Sequence, residues 1–379
     1  MNRPAFYTIR MKRFITLGLA IVGLFAISGC GAPADPASTI PSESVLIYAS
    51  GADATTLDPA DAEDGESVKV IVNVHDTLLT YADDSAELIP GLATKWTESP
   101  DRLEWTFELR ENVKFHDGTP FDAEAVVFSL ERLIDPNHPH RHDAKLPLGS
   151  DYQVIEKVEA KGTHVVILRL KHPSGVLLRN LAMFPSCIVS PTAVKESGED
   201  YKIRPVGTGP FRFEEWVTNE KLVLRKNEAY WRGAPEVEHL IFKPIAEPAS
   251  RLRQLATGEI DMADGLSIPV REEIRKNSKL RLATSPGMNF GYFAMNMDRP
   301  PFGDVRVRRA IAHAIDKKAI LASAYDNAGQ ITSTPLPPTL WGADPEIRDY
   351  PFDPGRAKEL LKKRVCPRQG QVRLLDVTE

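Results

Sequence analysis

Leu103, Trp105, Phe107 and Leu109 alternate with Glu104, Thr106 and Glu108, and soon afterwards the apolar period changes. A period of two predicts a strand with one buried face. After the turn His116-Asp117-Gly118-Thr119-Pro120, Asp122 stands as an N-cap, with Phe121 and Val126 placed as the two halves of a hydrophobic staple. Val126, Val127, Leu130 and Leu133 then predict the buried face of a helix. A chain that switches period in this way must pack helix against sheet.

The same alphabet recurs along the chain. Val45-Leu46-Ile47-Tyr48-Ala49 is a short apolar run ended by Ser50-Gly51, and it predicts a buried strand, as does Val165 to Leu170. Pro248 starts a helix with Leu252, Leu255 and Ala256 on one side, and Gly258 stops it. Asp304 caps a helix whose Val307, Ala310, Ile311, Ala314 and Ile315 share a face; Asp316 caps another that runs to Tyr325. Asp353-Pro354 opens a last helix through Leu360 and Leu361. Strands and helices mix without strict alternation and without a repeat. The expected class is α/β or α+β with more than one lobe.

Lys12 and Arg13 precede an apolar run from Phe14 to Ile27, which closes on Ser28-Gly29-Cys30. A basic start, a short apolar stretch and small residues at a cleavage point form an export signal. The run is shorter than the roughly 20 residues a spanning helix needs. A small residue directly before cysteine is the lipobox pattern, which makes Cys30 the lipidated first residue of the mature chain; the alternative is an ordinary signal with an incidental cysteine. Met11 directly before Lys12 is a second candidate start. Residues 1–29 carry four basic residues and no acid, so without them the net charge falls from −5 to −9. An acidic exported chain is a poor match for nucleic acid or an anionic membrane surface. Residues 30–43, rich in Ala, Pro and Ser, form a tether. Only Cys187 and Cys366 remain after Cys30, so this is no disulfide scaffold.

Catalytic signatures are missing. There is no G-x-S-x-G, H-E-x-x-H, Walker A loop or G-x-G-x-x-G. Val206-Gly207-Thr208-Gly209-Pro210 is glycine-rich, but Pro210 breaks the helix start that a phosphate cradle requires, and it reads as a turn or crossover. His138, His140 and His142 alternate among prolines in a loop and read as solvated rather than as a metal site. Asp83-Asp84 and Glu214-Glu215 read as solvated pairs. No catalytic residue, metal or cofactor is expected.

Several stretches in order resemble the family 5 extracellular solute-binding proteins, the receptors of ABC importers for peptides and nickel. They are Gly91-Leu92-Ala93-Thr94-Lys95-Trp96, Trp105 to Arg110, Val113 to Phe121, and Pro205-Val206-Gly207-Thr208-Gly209-Pro210-Phe211 followed by Tyr230-Trp231. Thr257-Gly258-Glu259-Ile260-Asp261 and Asp304-Val305-Arg306-Val307-Arg308-Arg309-Ala310 continue the series. Pro286-Gly287-Met288-Asn289-Phe290-Gly291-Tyr292 and Pro337 to Gly342 look most like the dipeptide-binding branch.

The resemblance implies a two-lobe, periplasmic-binding-protein-like α/β fold that closes on a ligand. Residues 44–84 and 181–288 would form lobe one, 85–180 an inserted subdomain, and 289–379 part of lobe two. The implied partners are a peptide ligand, the permease and ATPase subunits of an importer, and the membrane through the lipid anchor alone. Other solutes of the family, nickel chelate or haem, stay open, and an envelope hydrolase is the reading from another class. Chains of this family continue past the Asp353–Leu361 helix, whereas here a basic stretch from Lys362 leads to Glu379. That departure implies an incomplete second lobe, through a frameshift or a fragmentary gene, and leaves an inactive remnant as an alternative. The family's aspartate and arginine for a dipeptide's termini match no residue here. Ser50, Gly51, Ala52 and Asp53 follow the first strand and read either as a turn or as ligand contacts. Phe293, Ala294, Met295 and Asn296 read as a hinge or a core strand, and Trp341 as a pocket wall or core residue.

Overall fold

The apolar run after Ser44 becomes β1 (Val45–Ser50), and the helix that follows it, α1 (Gly65–Val74), starts where the Asp64 carboxylate accepts from the Ser67 amide at 2.8 Å. The computed structural model describes residues 44–362 except 84, 142–145, 267–269, 285–286, 288–289, 338–339, 341 and 345. Cys30, Asp84, His142, Trp341 and Cys366 therefore lie outside the described residues. The chain divides after Leu266 into two compact units.

In the first unit, β2 (Leu79–Tyr81) and β3 (Leu88–Pro90) form a hairpin. Next come β4 (Ala93–Glu98), β5 (Glu104–Leu109), α2 (Ala123–Ile134), β6 (Ile155–Ala160) and β7 (Val165–Leu170). These four strands make an antiparallel sheet in the order β4-β5-β7-β6. Its core holds Phe107 and Leu109 with Val126, Leu130 and Leu133 of α2, and Phe121 and Val126 are both buried, as the staple requires. Asp122 caps α2 by accepting from the Ala125 amide. Two details differ from the sequence pattern. Leu103 lies outside the strand and is exposed, and Val127, one position round from Val126, is only half-buried.

Two short helices, α3 (Leu177–Asn180) and α4 (Pro191–Ser197), precede β8 (Phe211–Val217), β9 (Lys221–Lys226), β10 (His239–Pro244), α5 (Pro248–Thr257) and β11 (Met262–Ala263). With β1 these strands build a five-stranded sheet in the order β11-β1-β10-β9-β8. β1 pairs parallel with both β10 and β11. Val70 and Val74 of α1 pack with Leu57, Phe211, Leu222, Leu224, Leu240 and Phe242 against this sheet. Gly258 ends α5 at φ 79°, a left-handed C-cap. Leu252 of α5 is buried, but Ala256 is exposed, and Arg251 takes the buried position the apolar pattern did not assign.

The glycine-rich segment before β8 is a crossover packed on the end of α1. A Cβ at Gly207 would lie 2.2 Å from the Val74 carbonyl oxygen, and one at Gly209 2.6 Å from the Val74 carbonyl carbon. No side chain fits there. The Gly209 amide donates to Val74 and the His116 amide donates to the Gly207 carbonyl. Thr208 Oγ1 donates to the Asp76 carboxylate at 2.8 Å, as do Tyr230 at 3.0 Å and Trp231 Nε1 at 2.9 Å. Burial pushes the Asp76 carboxyl above the usual carboxylate range, against the pull of these three donors.

In the second unit, α6 (Arg271–Lys276) is followed by α7 (Val305–Ala314), α8 (Lys317–Tyr325) and α9 (Pro354–Lys362), with α7 packed on α9. Asp304 and Asp316 cap their helices as expected. Val307 and Ala310 are buried, whereas Ala314 and Leu361 are exposed. No helix among the described residues is long and apolar enough to cross a membrane.

Two ionisable features carry consequences for stability. Asp58 and Arg132 form an ion pair whose side chains are 2% and 4% exposed, so neither has water to fall back on. Asp58→Ala should lower the unfolding free energy by about 3–5 kcal/mol, and adding Arg132→Met should recover part of it. A loss below about 1 kcal/mol in urea melts of the single variant would contradict this. Burial also drives the His75 imidazole down to about 3 and that of His116 to about 4. In the unfolded chain each takes its proton near 6.5, so below about that pH the unfolded state binds more protons. Stability should then fall as pH drops from about 6.5 toward 4, and urea midpoints of His75→Gln should show a shallower acid limb than wild type.

Candidate functional site

Because β1, β10 and β11 are parallel, their carboxyl ends emerge on one edge of the sheet. In open α/β sheets, the loops beyond the carboxyl ends of the strands are where ligands bind. Three loops meet at this edge: the one after Ser50, the one after Pro244 and the one after Ala263.

Arg251 holds two of these loops together. Its Nη1 donates to the Ile245 carbonyl and, at 3.1 Å, to that of Ala246; Nε donates to Asp264 at 3.1 Å and Nη2 to Gly265 at 2.8 Å. The guanidinium is buried, and main-chain carbonyls meet its charge. Without it those oxygens would lose their partners, a cost of about 1–3 kcal/mol for each one left buried. The third loop passes directly over it. A Cβ on Gly51 would meet Arg251 Nη1 at 3.6 Å, an ordinary contact, so packing alone does not demand glycine at this position.

Beside Arg251, Lys69 of α1 donates to Glu66 at 2.6 Å and reaches Asp264 at 2.5 Å, with its ammonium 5.6 Å from the Tyr48 ring. Burial, followed by the charge of Asp264 and a hydrogen bond to it, pushes the Tyr48 hydroxyl well above its ordinary range. This cluster ties α1 to the sheet edge.

The sequence-predicted loop residues divide by role. Ser50 is buried and its hydroxyl donates to the Ala52 carbonyl at 2.8 Å. Asp53 accepts from Trp216 Nε1 at 3.0 Å, from the Asn219 amide at 2.6 Å and from the Ala54 amide at 2.9 Å. It latches the loop to the end of β8. Ala52 is exposed and Gly51 half-exposed, and they form the accessible part of the loop. Phe293 to Asn296 belong to the second unit, where they form no strand and Phe293 is 62% exposed. Cys187 is buried. Among the described residues no group of three or more His, Cys, Asp and Glu side chains could hold a metal ion.

Arg251, Lys69, Asp264 and Asp76 were not legible as partners. Arg251 sits on a helix with an apolar stripe, where an arginine reads as solvated until the strands on either side are placed. Asp76 had an indirect signal, because Thr208 and Tyr230-Trp231 both belong to motifs singled out in the chain, and both end on its carboxylate.

Residues 87–375 match the family described as bacterial extracellular solute-binding proteins, family 5 (middle). The chain is 30% identical to heme-binding protein A of Haemophilus influenzae over 95% of its own length and 70% of that protein's. It is 32% identical to di/tripeptide-binding protein 1 of Pseudomonas aeruginosa over 84% of itself and 63% of that protein. Among solved structures, the periplasmic binding protein DppA from Helicobacter pylori, in complex with the peptide STSA, superposes with a TM-score of 0.75 at 32% identity. That match covers 84% of this chain and 65% of the other. The chain therefore spans about two thirds of the length of the proteins it matches, and its α/β architecture is that of periplasmic binding proteins. It belongs to family 5 of the bacterial extracellular solute-binding proteins.

Proposed function

We propose that the chain serves as the solute-capturing receptor of an ABC importer, taking di- or oligopeptides in the cell envelope and performing no catalysis. The observation that carries this reading is the gathering of three loops at the carboxyl edge of β1, β10 and β11, held by Arg251, in a member of a solute-binding family. Main-chain groups of Gly51 and Ala52 would face the ligand there, and Asp53 would keep the loop in register; Trp341, outside the described residues, stays a ligand-contact candidate on its sequence alone. Phe293, Ala294, Met295 and Asn296 would serve as the hinge between residues 44–84 with 181–288, carrying the inserted 85–180, and the part after residue 289. The peptide specificity rests on likeness to a di/tripeptide-binding protein and to a peptide-bound DppA. A second reading, haem as the solute, is favoured by the match to a heme-binding protein over 95% of the chain.

Titration calorimetry with di- and tripeptides, with haem run in parallel, decides between the two. The expected result is saturable peptide binding, with the peptides recovered intact by mass spectrometry. Hydrolysis that co-purifies with the protein would overturn the receptor reading, and haem binding without peptide binding would select the second. Asp53→Ala should weaken peptide binding several-fold and shift the Trp216 emission, since the indole loses a charged acceptor.

The envelope location rests on the export signal and on Cys30 as the lipid-bearing first residue of the mature chain, with membrane contact through that anchor. Each buried CH₂ contributes about 0.8 kcal/mol to the attachment. Cys30→Ala should release the protein from the membrane fraction or block processing. A mature protein that begins elsewhere, with no acyl mass, would overturn the anchor.

A further inference from the structure

The loop after Ser50 continues past Asp53 into a cleft. Ala54 and Thr55 line a space of about 860 Å³, and so does Trp216, the indole that Asp53 holds at 3.0 Å. This cleft is therefore continuous with the loop assigned to the solute. Pockets for small solutes measure about 300–1,000 Å³ and combine an apolar lining with a few polar groups that fix orientation. Ile203, Phe213 and Trp216 supply the apolar lining here.

The polar groups carry both signs and are not engaged with each other. Arg212 Nη2 donates to the neutral Asn227 amide oxygen at 3.2 Å, and Arg204 has no carboxylate partner among the described residues. Asp117 accepts from the hydroxyls of Ser190 at 2.5 Å and Thr119 at 2.6 Å, and Glu214 lies 3.3 Å from the His239 imidazole. Glu215 differs, since Lys221 pairs with it at 2.7 Å. Arg212 and Asp117 both act on His116 in the cleft wall, the first lowering and the second raising its proton affinity. With two cations against two anions, the cleft draws neither a net anion nor a net cation. A solute that carries one charge of each sign meets both. Arg212 and Glu214 stand two residues apart on β8, a step of at most about 7 Å. A two-residue peptide, fully extended, spans about the same length between its termini. Glu214 is the extra residue of the bulge between Phe213 and Glu215, an irregularity of the kind that re-aims a side chain.

We propose that this cleft selects a zwitterionic dipeptide by its two free termini, the carboxylate meeting Arg212 and Arg204 and the ammonium meeting Glu214 and Asp117. Phe213 and Trp216 receive the side chains. The inference rests on the reading of the carboxyl-edge loops as the solute site, and it adds what discriminates among solutes there. Charge-assisted bonds are the strong ones, so a solute with one terminus blocked forfeits a large share of its affinity. It also leaves one sign of charge in the cleft unmatched, which turns the loss into specificity.

The test is calorimetry of the whole chain with three probes: alanyl-phenylalanine, its N-acetyl derivative and its C-terminal amide. The free dipeptide is expected to bind, and each blocked form to bind about tenfold more weakly or worse. In Glu214→Gln the penalty for acetylation should shrink while the penalty for the amide persists; in Arg212→Gln the reverse should hold. A merely structural role for either residue would weaken all three probes alike and would overturn the proposal. The comparison of blocked and free dipeptide on the wild-type chain stands even if a variant fails to fold. Equal affinity for the three probes there would overturn the proposal and leave the receptor reading intact, whereas no binding of any of them would overturn both.

Discussion

Two glycines without room for a side chain hold the first unit together. Gly207 and Gly209 lie on the last turn of α1 so closely that any Cβ would collide with the Val74 carbonyl. The close approach lets their peptide groups bond to Val74 and to the His116 amide, and it brings Thr208 onto Asp76. Asp76 in turn collects Tyr230 and Trp231, while its own carbonyl accepts from Ile188. Segments far apart in sequence thus end on one short piece of chain after α1. Three donors offset part of the cost of burying this carboxylate, and burial still holds it above the usual carboxylate range.

The buried cations follow the same rule by two routes. Arg132 meets a buried carboxylate, Asp58. Arg251 is satisfied by the carbonyls of Ile245, Ala246, Asp264 and Gly265. The difference matters for function. An ion pair fixes one side chain against another, whereas a guanidinium spread over carbonyls fixes the paths of two loops. Those loops, with the one after β1, are what a ligand at the sheet edge would meet. Rigid loops on a sheet edge lower the ordering cost of capture, which is how a receptor gains affinity without added contact area.

Much of the fold could be read from local pattern because its physics is local. The Asp122 cap, the Phe121–Val126 staple, the Gly258 stop and the caps at Asp304 and Asp316 each involve residues within one turn of each other. A period of two in 104–109 predicts a strand wherever that strand later pairs. The solute-binding family was equally legible, since its motifs are strings whose order survives in one dimension.

Other properties required the folded chain. The parallel placement of β1 between β10 and β11 joins residues about 200 apart, and no local pattern encodes it. That placement decides that the loop at Ser50–Asp53 faces the loops Arg251 holds, and that Asp53 reaches Trp216. It also leaves β8 as an edge. Arginine and aspartate carry no mark of burial in sequence, because their cost inside a protein depends on partners delivered by tertiary contacts. The sequence by itself determined the elements, their caps and the family; the tertiary structure decided which polar groups became structural, since only packing brings a buried charge to its partner.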